Sequence, residues 1–273
     1  MSMMKTLLFT GLFALVSCTA TNTIERSIEN AWRTNSSIPL AHLIDETLTI
    51  ERAYAVQTRL VRRESKNAAP IGFKAGLTSE AARERFHAGS AIAGVLLRPA
   101  DSLPAHLSLS EFRGLYIETE VAMRIGNPIR KPVANVAELR SHIDGIAAAI
   151  ELPNLDYERP DQLNALDIIA SNVAAAHFMT GSFAPPEQRD PNQLTVTLEC
   201  NAERLSTGQG RDAMGDQWQA ALWLVNTMVG QGWELEAGQV LLTGALGKMV
   251  KASEGECIAH FGVWGTLSVL IIA

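Results

Sequence analysis

Two glutamates, Glu118 and Glu120, lie inside the apolar stretch Leu115-Tyr-Ile-Glu-Thr-Glu-Val-Ala-Met123, and a third, Glu151, ends the run Gly145-Ile-Ala-Ala-Ala-Ile-Glu151. If the first stretch is a strand, its period of two places Tyr116, Glu118, Glu120 and Ala122 on one face and Ile117, Thr119, Val121 and Met123 on the other. Two carboxylates on one buried face need a compensating cation, and a hard divalent ion with oxygen ligands is the usual one. Taken alone, Glu-x-Glu also suits a solvent-facing strand side, where glutamate is common. Lys74, in Gly72-Phe-Lys-Ala-Gly-Leu-Thr78, is flanked by apolar residues in a glycine-bounded strand. A lysine so placed can shift its pKa toward neutrality and move protons, or can snorkel from a strand end. In Val240-Leu-Leu-Thr-Gly-Ala-Leu-Gly247 a strand runs into a Thr243-Gly244 turn whose N–H groups and hydroxyl could hold a carboxylate or keto oxygen.

These residues need a sheet to bring them together. Short apolar runs punctuated by glycine predict strands at Ile71–Gly76, Leu115–Ile125, Gly145–Glu151, Leu194–Leu198, Val240–Gly244 and Thr266–Ile272. Helices are expected over Gln162–Thr180 and over Asp216–Gly230, the latter with an apolar stripe of Trp218, Ala221, Leu222, Val225, Met228 and Val229 ended by Gly230 and Gly232. A helical texture also runs from Thr23 to about Ser65. Strands and helices that do not alternate regularly predict an α+β fold with a mixed sheet.

The chain has 273 residues, 47% of them hydrophobic and 19% charged, as in ordinary globular proteins. A net charge of -6 and the lack of a basic patch argue against nucleic acid and for a small-molecule partner. At the N-terminus, Lys5 precedes the apolar run 7–16, followed by Ser17-Cys18. This reads as an export signal over residues 1–17, since about 20 apolar residues are needed to span a bilayer. Leu15-Val-Ser-Cys18 resembles a bacterial lipobox, which makes Cys18 the lipid-bearing first residue of an envelope lipoprotein; a plain secretory signal or a misassigned start codon is the alternative. Cys200 and Cys257 could pair in an oxidising periplasm, but two cysteines with no spacing signature are more often buried small hydrophobes, and the second reading is preferred. The organisation expected is a signal (1–17), a helical segment (18–70) and a metal-binding catalytic domain (71–273).

Taken in order, Gly-Phe-Lys-Ala-Gly-Leu-Thr, Ile-Glu-Thr-Glu-Val, Ala-Ile-Glu-Leu-Pro, Gly208-Gln-Gly210 and Leu-Leu-Thr-Gly-Ala-Leu-Gly resemble the 2-keto-4-pentenoate hydratase and oxalocrotonate decarboxylase branch of the fumarylacetoacetate hydrolase family. The match runs from about Glu51 to the C-terminus. The resemblance implies a mixed-sheet β-roll and a Mg²⁺ or Mn²⁺ ion held by Glu118, Glu120 and Glu151, with positions left open for a chelating 2-keto or 2-enol carboxylate. It further implies Lys74 in proton transfer or pairing with the substrate carboxylate, Thr243, Gly244 and Asn172 at the substrate, and a homo-oligomer.

The chain also departs from that pattern. Ile92, in Ala91-Ile-Ala-Gly-Val-Leu96, stands at the position of a family aspartate. In Asp167-Ile-Ile-Ala-Ser-Asn-Val-Ala-Ala175, Ser171 replaces an aspartate and Ala174 a serine, while Asn172 remains. His177 is expected on the helix after Asn172, His87 and His106 receive no role, and His42 and His142 are peripheral. The expected activity is a metal-dependent hydratase acting on a small 2-keto or dienol acid. The alternatives are a related decarboxylase or C–C hydrolase, and an envelope lipoprotein that binds metal and keto acid without turnover.

Overall fold

The computed structural model describes residues 22–97 and 106–273, so the export signal and Cys18 lie outside the described residues. In chain order the elements are α1 (22–34), α2 (Ala41–Ile44), α3 (Ile50–Glu64), β1 (Gly72–Gly76), α4 (Glu80–Arg85), β2 (Ile92–Leu96), β3 (Leu107–Ser108), β4 (Tyr116–Ile125), α5 (Val136–Arg140) and β5 (Ile143–Leu152). There follow α6 (Ala165–Ala170), β6 (His177–Thr180), β7 (Thr195–Cys200), β8 (Glu203–Gln209), α7 (Gln217–Gly230), β9 (Val240–Leu242), β10 (Leu246–Lys251), β11 (Gly255–His260) and β12 (Thr266–Ile272). One sheet runs β2-β1-β9-β4-β5-β6 with β10 also on β4, and a second runs β3-β12-β11-β7-β8. The β1–β9 and β12–β3 pairs are parallel and the remaining pairs antiparallel, so the fold is the expected α+β mixed-sheet roll.

The alternation around Glu118 sets the centre of the larger sheet. Ile117, Val121, Met123 and Ile125 of β4 join Ile146, Ala148, Ile150 and Leu152 of β5 in the main core, where α7 lays Trp218, Ala221, Leu224, Val225 and Met228. Burying each large side chain there is worth about 1.5–3 kcal/mol. Asp216 starts α7 by accepting from Trp218 N and Gln219 N. The opposite face of the sheet carries the glutamates beside small residues, Ala122, Ala147 and Ala149, packed with Leu96, Phe178 and Leu242.

The N-terminal helices do not stand apart from the sheet. Ile24, Ile28, Val56 and Leu60 share a second core with Ile92, Ile168, Ile169 and Val173. Gln57 Nε2 donates to Ala93 O at 2.9 Å and to Ile169 O at 3.0 Å, which ties α3 to both β2 and α6. Among themselves, α1 and α3 are joined by Glu25, paired with Arg59 and Arg63.

Two expectations are corrected. The helix predicted over Gln162–Thr180 ends at Ala170, and Asn172, Val173 and Ala174 all adopt left-handed φ (62°, 53° and 54°) before the chain enters β6. Three such residues in a row cannot continue a right-handed helix. Cys200 and Cys257 form a disulfide, because β7 and β11 make them direct cross-strand partners although they are 57 residues apart.

Candidate metal centre

The register of β4 on β5 assembles the carboxylates. Glu118 is paired directly with Glu151, and Glu120, two residues on, faces Ala149. One ligand oxygen from each of the three glutamates lies within 4.8 Å of the others. Like charges opposite one another destabilise a sheet, and here two of the three side chains, Glu120 and Glu151, have 0% exposure. Glu120 Oε1 and Glu151 Oε2 are buried without any hydrogen-bond donor. Buried anionic oxygens left open in this way converge on one point, and one lysine against three carboxylates leaves the charge of a divalent cation to be balanced. The donor set is therefore fit for a hard divalent ion.

Lys74 closes the cluster from β1. Its ammonium forms an ion pair with Glu151 and donates to Val173 O at 3.0 Å. Space for its stem comes from Gly94, its partner on β2, where a Cβ would meet Lys74 Cγ at 3.1 Å and Asn172 O at 3.1 Å. The Val173 carbonyl reaches Lys74 because of the left-handed turn at 172–174, a strained backbone of the kind that clusters at functional sites. Asn172 holds this turn against β2: its Oδ1 accepts from Val95 N at 2.8 Å and its Nδ2 donates to Val95 O at 2.9 Å.

The Thr243-Gly244 turn falls where the edge of β4 passes from β9 to β10. Gly244 N donates to Glu120 Oε2 at 2.8 Å and so orients that carboxylate. Thr243, fully buried, donates its hydroxyl toward Val121 O at 3.1 Å and contacts Gln217 Oε1, while Gln217 Nε2 donates to Gly210 O at 2.6 Å. This chain of bonds joins the Gly208-Gln-Gly210 motif to the Thr-Gly turn and then to the strand bearing Glu120. Gly244 has φ +115°, and a Cβ there would lie 2.5 Å from the Thr78 side chain. Gly244→Ala should therefore cost about 1–3 kcal/mol of stability and weaken divalent-ion binding. Urea melts and Mn²⁺ titration check this, and wild-type values in both would contradict the role given to the turn.

Electrostatics follow from this crowding. Burial and the facing Glu151 carboxylate push Glu118, which is partly exposed, up to about 7. Burial, with Glu151 and Glu118 beside it, raises Glu120 well above the carboxyl range. For Lys74 burial works to lower the pKa, but the charges of Glu151, Glu118 and Glu120 outweigh it and hold the group above the ordinary lysine value. The three surrounding carboxylates thus favour the ammonium form of Lys74 in the metal-free protein, where burial alone would move it toward neutrality.

The substituted positions sit around the same cluster. Ile92 shares a face of β2 with Gly94 but joins the apolar core of the N-terminal helices. The Ser171 hydroxyl donates to Asp167 O at 2.7 Å and accepts from Tyr157 OH at 2.7 Å. Ala174 lines a cavity of about 730 Å³ with Asn172 and Phe178. His177 lies on β6, with its ring edge against Phe112 at 5.3 Å. His42 grips Asp167 at 2.8 Å and His142 bonds Asn127 O at 3.0 Å. The sequence reading missed Gln217 and the Val173 carbonyl. Gln217, next to the Asp216 cap, offered no signal beyond a polar residue entering an apolar helix. The carbonyl depends on a backbone conformation that Asn172 alone among its neighbours favours.

The class is defined by fold and site together: an α+β protein whose mixed sheet presents an oxygen-donor centre suited to a divalent cation. Residues 75–268 match the model described as fumarylacetoacetate (FAA) hydrolase C-terminal, and the chain belongs to the fumarylacetoacetate hydrolase family. It is 31% identical over 222 residues to 2-keto-4-pentenoate hydratase of Paraburkholderia phymatum, covering 79% of this chain and 83% of that one. It is 26% identical over 257 residues to 2-oxo-hept-4-ene-1,7-dioate hydratase of Escherichia coli, covering 90% and 95%. Among solved structures, 4-oxalocrotonate decarboxylase from Pseudomonas putida G7, complexed with magnesium and adipate, is similar with a TM-score of 0.84 at 25% identity, covering 92% and 97%.

Proposed function

We propose that this chain is a divalent-metal-dependent lyase of hydratase type, acting on a small 2-keto or 2-hydroxydienoic acid. The observation that carries the reading is the convergence of Glu118, Glu120 and Glu151 beside Lys74, with buried carboxylate oxygens lacking donors. When bound, Mg²⁺ or Mn²⁺ supplies Lewis-acid stabilisation of negative charge developing on the 2-keto oxygen. Glu118, Glu120 and Glu151 would hold it, and Gly244 N–H fixes the orientation of Glu120.

Lys74, kept protonated by its carboxylate neighbours, is a proton source at the edge of the cluster and a positive partner for a substrate carboxylate. Ketonising a dienol acid requires a proton to reach carbon, which is the step assigned to Lys74. Ala122, Ala147, Ala149 and Phe178 flank the carboxylates on the same face with a buried apolar cluster. Incubating the protein with Mg²⁺ and 2-hydroxypenta-2,4-dienoate should discharge the dienol absorbance. Metal-dependent binding of keto acid with no loss of absorbance would instead identify a binder without turnover. Similarity to the decarboxylase structure over 92% of the chain supports a second reading, in which the same site releases CO₂ from an oxalocrotonate-type acid.

Export to an oxidising envelope compartment is part of the proposal. The Cys200–Cys257 disulfide supports it, since disulfides persist where thiols are not kept reduced. Cys18→Ser should move the protein from the membrane fraction to the soluble fraction in a bacterial host; unchanged membrane association would reject the lipid anchor.

A further inference from the structure

The Gly208-Gln-Gly210 motif and the residues after it hold the loop 243–247 at both ends. At one end Asp212 Oδ2 accepts from Gly247 N at 2.9 Å and from Gln209 N at 2.8 Å. Gly208 lies so close to the Leu246–Gly247 peptide that a Cβ would overlap it. At the other end Gln217, the first residue of α7, reaches Thr243. Gly210 N donates to Leu194 O at 2.8 Å, and a Cβ at Gly210 would overlap Pro191 O, so the Gly210 carbonyl is a fixed anchor for Gln217 Nε2. Between the two ends lies Gly244, whose N–H orients Glu120.

The chemistry of the amide decides which way these bonds run. A carbonyl only accepts, so the amide atom facing Gly210 O is the nitrogen, and Gln217 Oε1 is left toward Thr243. The Thr243 hydroxyl must then donate, and its one proton serves Gln217 Oε1 and Val121 O. Gln217 and Thr243 both have 0% exposure, so no water replaces the bond if it is broken. They meet on the far side of the sheet from the metal centre. There α7 packs on the core face with Val121, whereas Glu120 alternates onto the opposite face, beside Ala122 and its partner Leu242.

We infer that Gln217 and Thr243 are a positioning pair that sets Glu120 for a metal ion through the Gly244 N–H, and that the Thr243 hydroxyl is not a substrate contact. The pair acts on the metal centre of the function proposed above and rests on that reading. Family resemblance places Thr243 at the substrate, but its hydroxyl proton is committed to α7 and to Val121 O. Without the pair, one end of the loop is released and the Gly244 N–H loses its fixed place against Glu120 Oε2. The cost then falls on binding of the metal and not on a keto acid bound to it.

Mn²⁺ titration of the full chain, read by electron paramagnetic resonance, and pyruvate calorimetry at saturating Mg²⁺ test this together. Gln217→Met and Thr243→Val remove the shared bond at nearly constant volume, and each should weaken Mn²⁺ binding by about tenfold. The double variant should lose little more than Gln217→Met alone, because both changes break the same bond. Thr243→Ser keeps the hydroxyl and should hold Mn²⁺ affinity within about threefold of the wild type. Pyruvate should bind Mg²⁺-saturated Thr243→Val within about twofold of the wild type. Wild-type Mn²⁺ affinity in both single variants, or losses that multiply in the double one, would overturn the pair. A roughly tenfold loss of pyruvate affinity in Thr243→Val at saturating Mg²⁺ would make the hydroxyl a substrate contact and overturn the assignment as well. If Gln217→Met does not fold, Asp212→Ala, at an exposed position, releases the loop from its other end and should weaken Mn²⁺ binding by at least about threefold; wild-type affinity there would overturn the bracing of the loop. A wild-type chain that binds no Mn²⁺ would overturn the metal centre and the pair with it, whereas one that binds Mn²⁺ but no pyruvate would overturn the functional reading and leave the pair standing on the Mn²⁺ results.

Discussion

Lys74→Met should lower turnover of a dienol substrate by about 10²–10⁴-fold while divalent-ion affinity stays the same or increases. The direction of the second effect follows from charge: the ammonium repels a cation bound to its neighbours, so its removal favours the metal. The variant also leaves Glu151 buried beside two further carboxylates without its partner. Breaking a buried pair from one side typically costs about 3–5 kcal/mol, so the metal-free variant should melt well below the wild type and saturating Mg²⁺ should recover much of the loss. Stopped-flow assays and thermal melts with and without Mg²⁺ measure both effects. Turnover within twofold of the wild type would remove Lys74 from the chemistry.

Glu120→Gln should reduce divalent-ion affinity by at least about a hundredfold and, in the absence of metal, make the protein more stable. The amide oxygen keeps the bond from Gly244 N, so the Thr243-Gly244 turn persists. What disappears is a buried carboxylate whose proton affinity burial and the neighbouring Glu151 and Glu118 raise. Relief of about 1–3 kcal/mol is expected in the metal-free state. A loss of stability together with undiminished Mn²⁺ binding would mean that Glu120 is an ordinary buried acid.

The same crowding predicts a pH dependence. Glu118 titrates near 7 in the metal-free fold, against an ordinary value of 4.5. Between these values the folded chain binds more protons than the unfolded one, so metal-free stability should fall as pH rises toward about 7. Metal needs the ionised carboxylate and competes with the proton, so Mn²⁺ affinity should rise over the same interval and keep rising above it, because Glu120 is also pushed up. Titrations at a series of pH values check the sign; affinity that falls with rising pH would contradict it.

Much of this site was legible because strand alternation is a local property. Ile117, Val121 and Met123 point into the core, so Glu118 and Glu120 have to share the other side. That Glu151 faces Glu118 across the ladder depends on the register of β4 on β5, which no local pattern specifies. The resemblance to a family supplied the grouping of Glu151 with Glu118 and Glu120, but not that register. The segment 162–180 was misread for a physical reason: Ile168, Ile169, Val173 and the alanines continue a helical texture with no glycine or proline to stop it. The break comes from left-handed residues held by Lys74 and Val95, contacts made by strands about 80–100 positions earlier in the chain. The Cys200–Cys257 bond was hidden likewise, since it depends on β7 and β11 becoming neighbours. The N-terminal helices read correctly as helices, but their burial against β2 and α6 needed the tertiary structure.

The central claim is that the three glutamates form one divalent-cation site, and anomalous diffraction from crystals soaked in Mn²⁺ tests it most directly. The account predicts a single strong peak per chain, roughly 2.0–2.4 Å from oxygens of Glu118, Glu120 and Glu151 together. Crystals that take up Mn²⁺ elsewhere, or show no peak among these carboxylates at saturating metal, would contradict it.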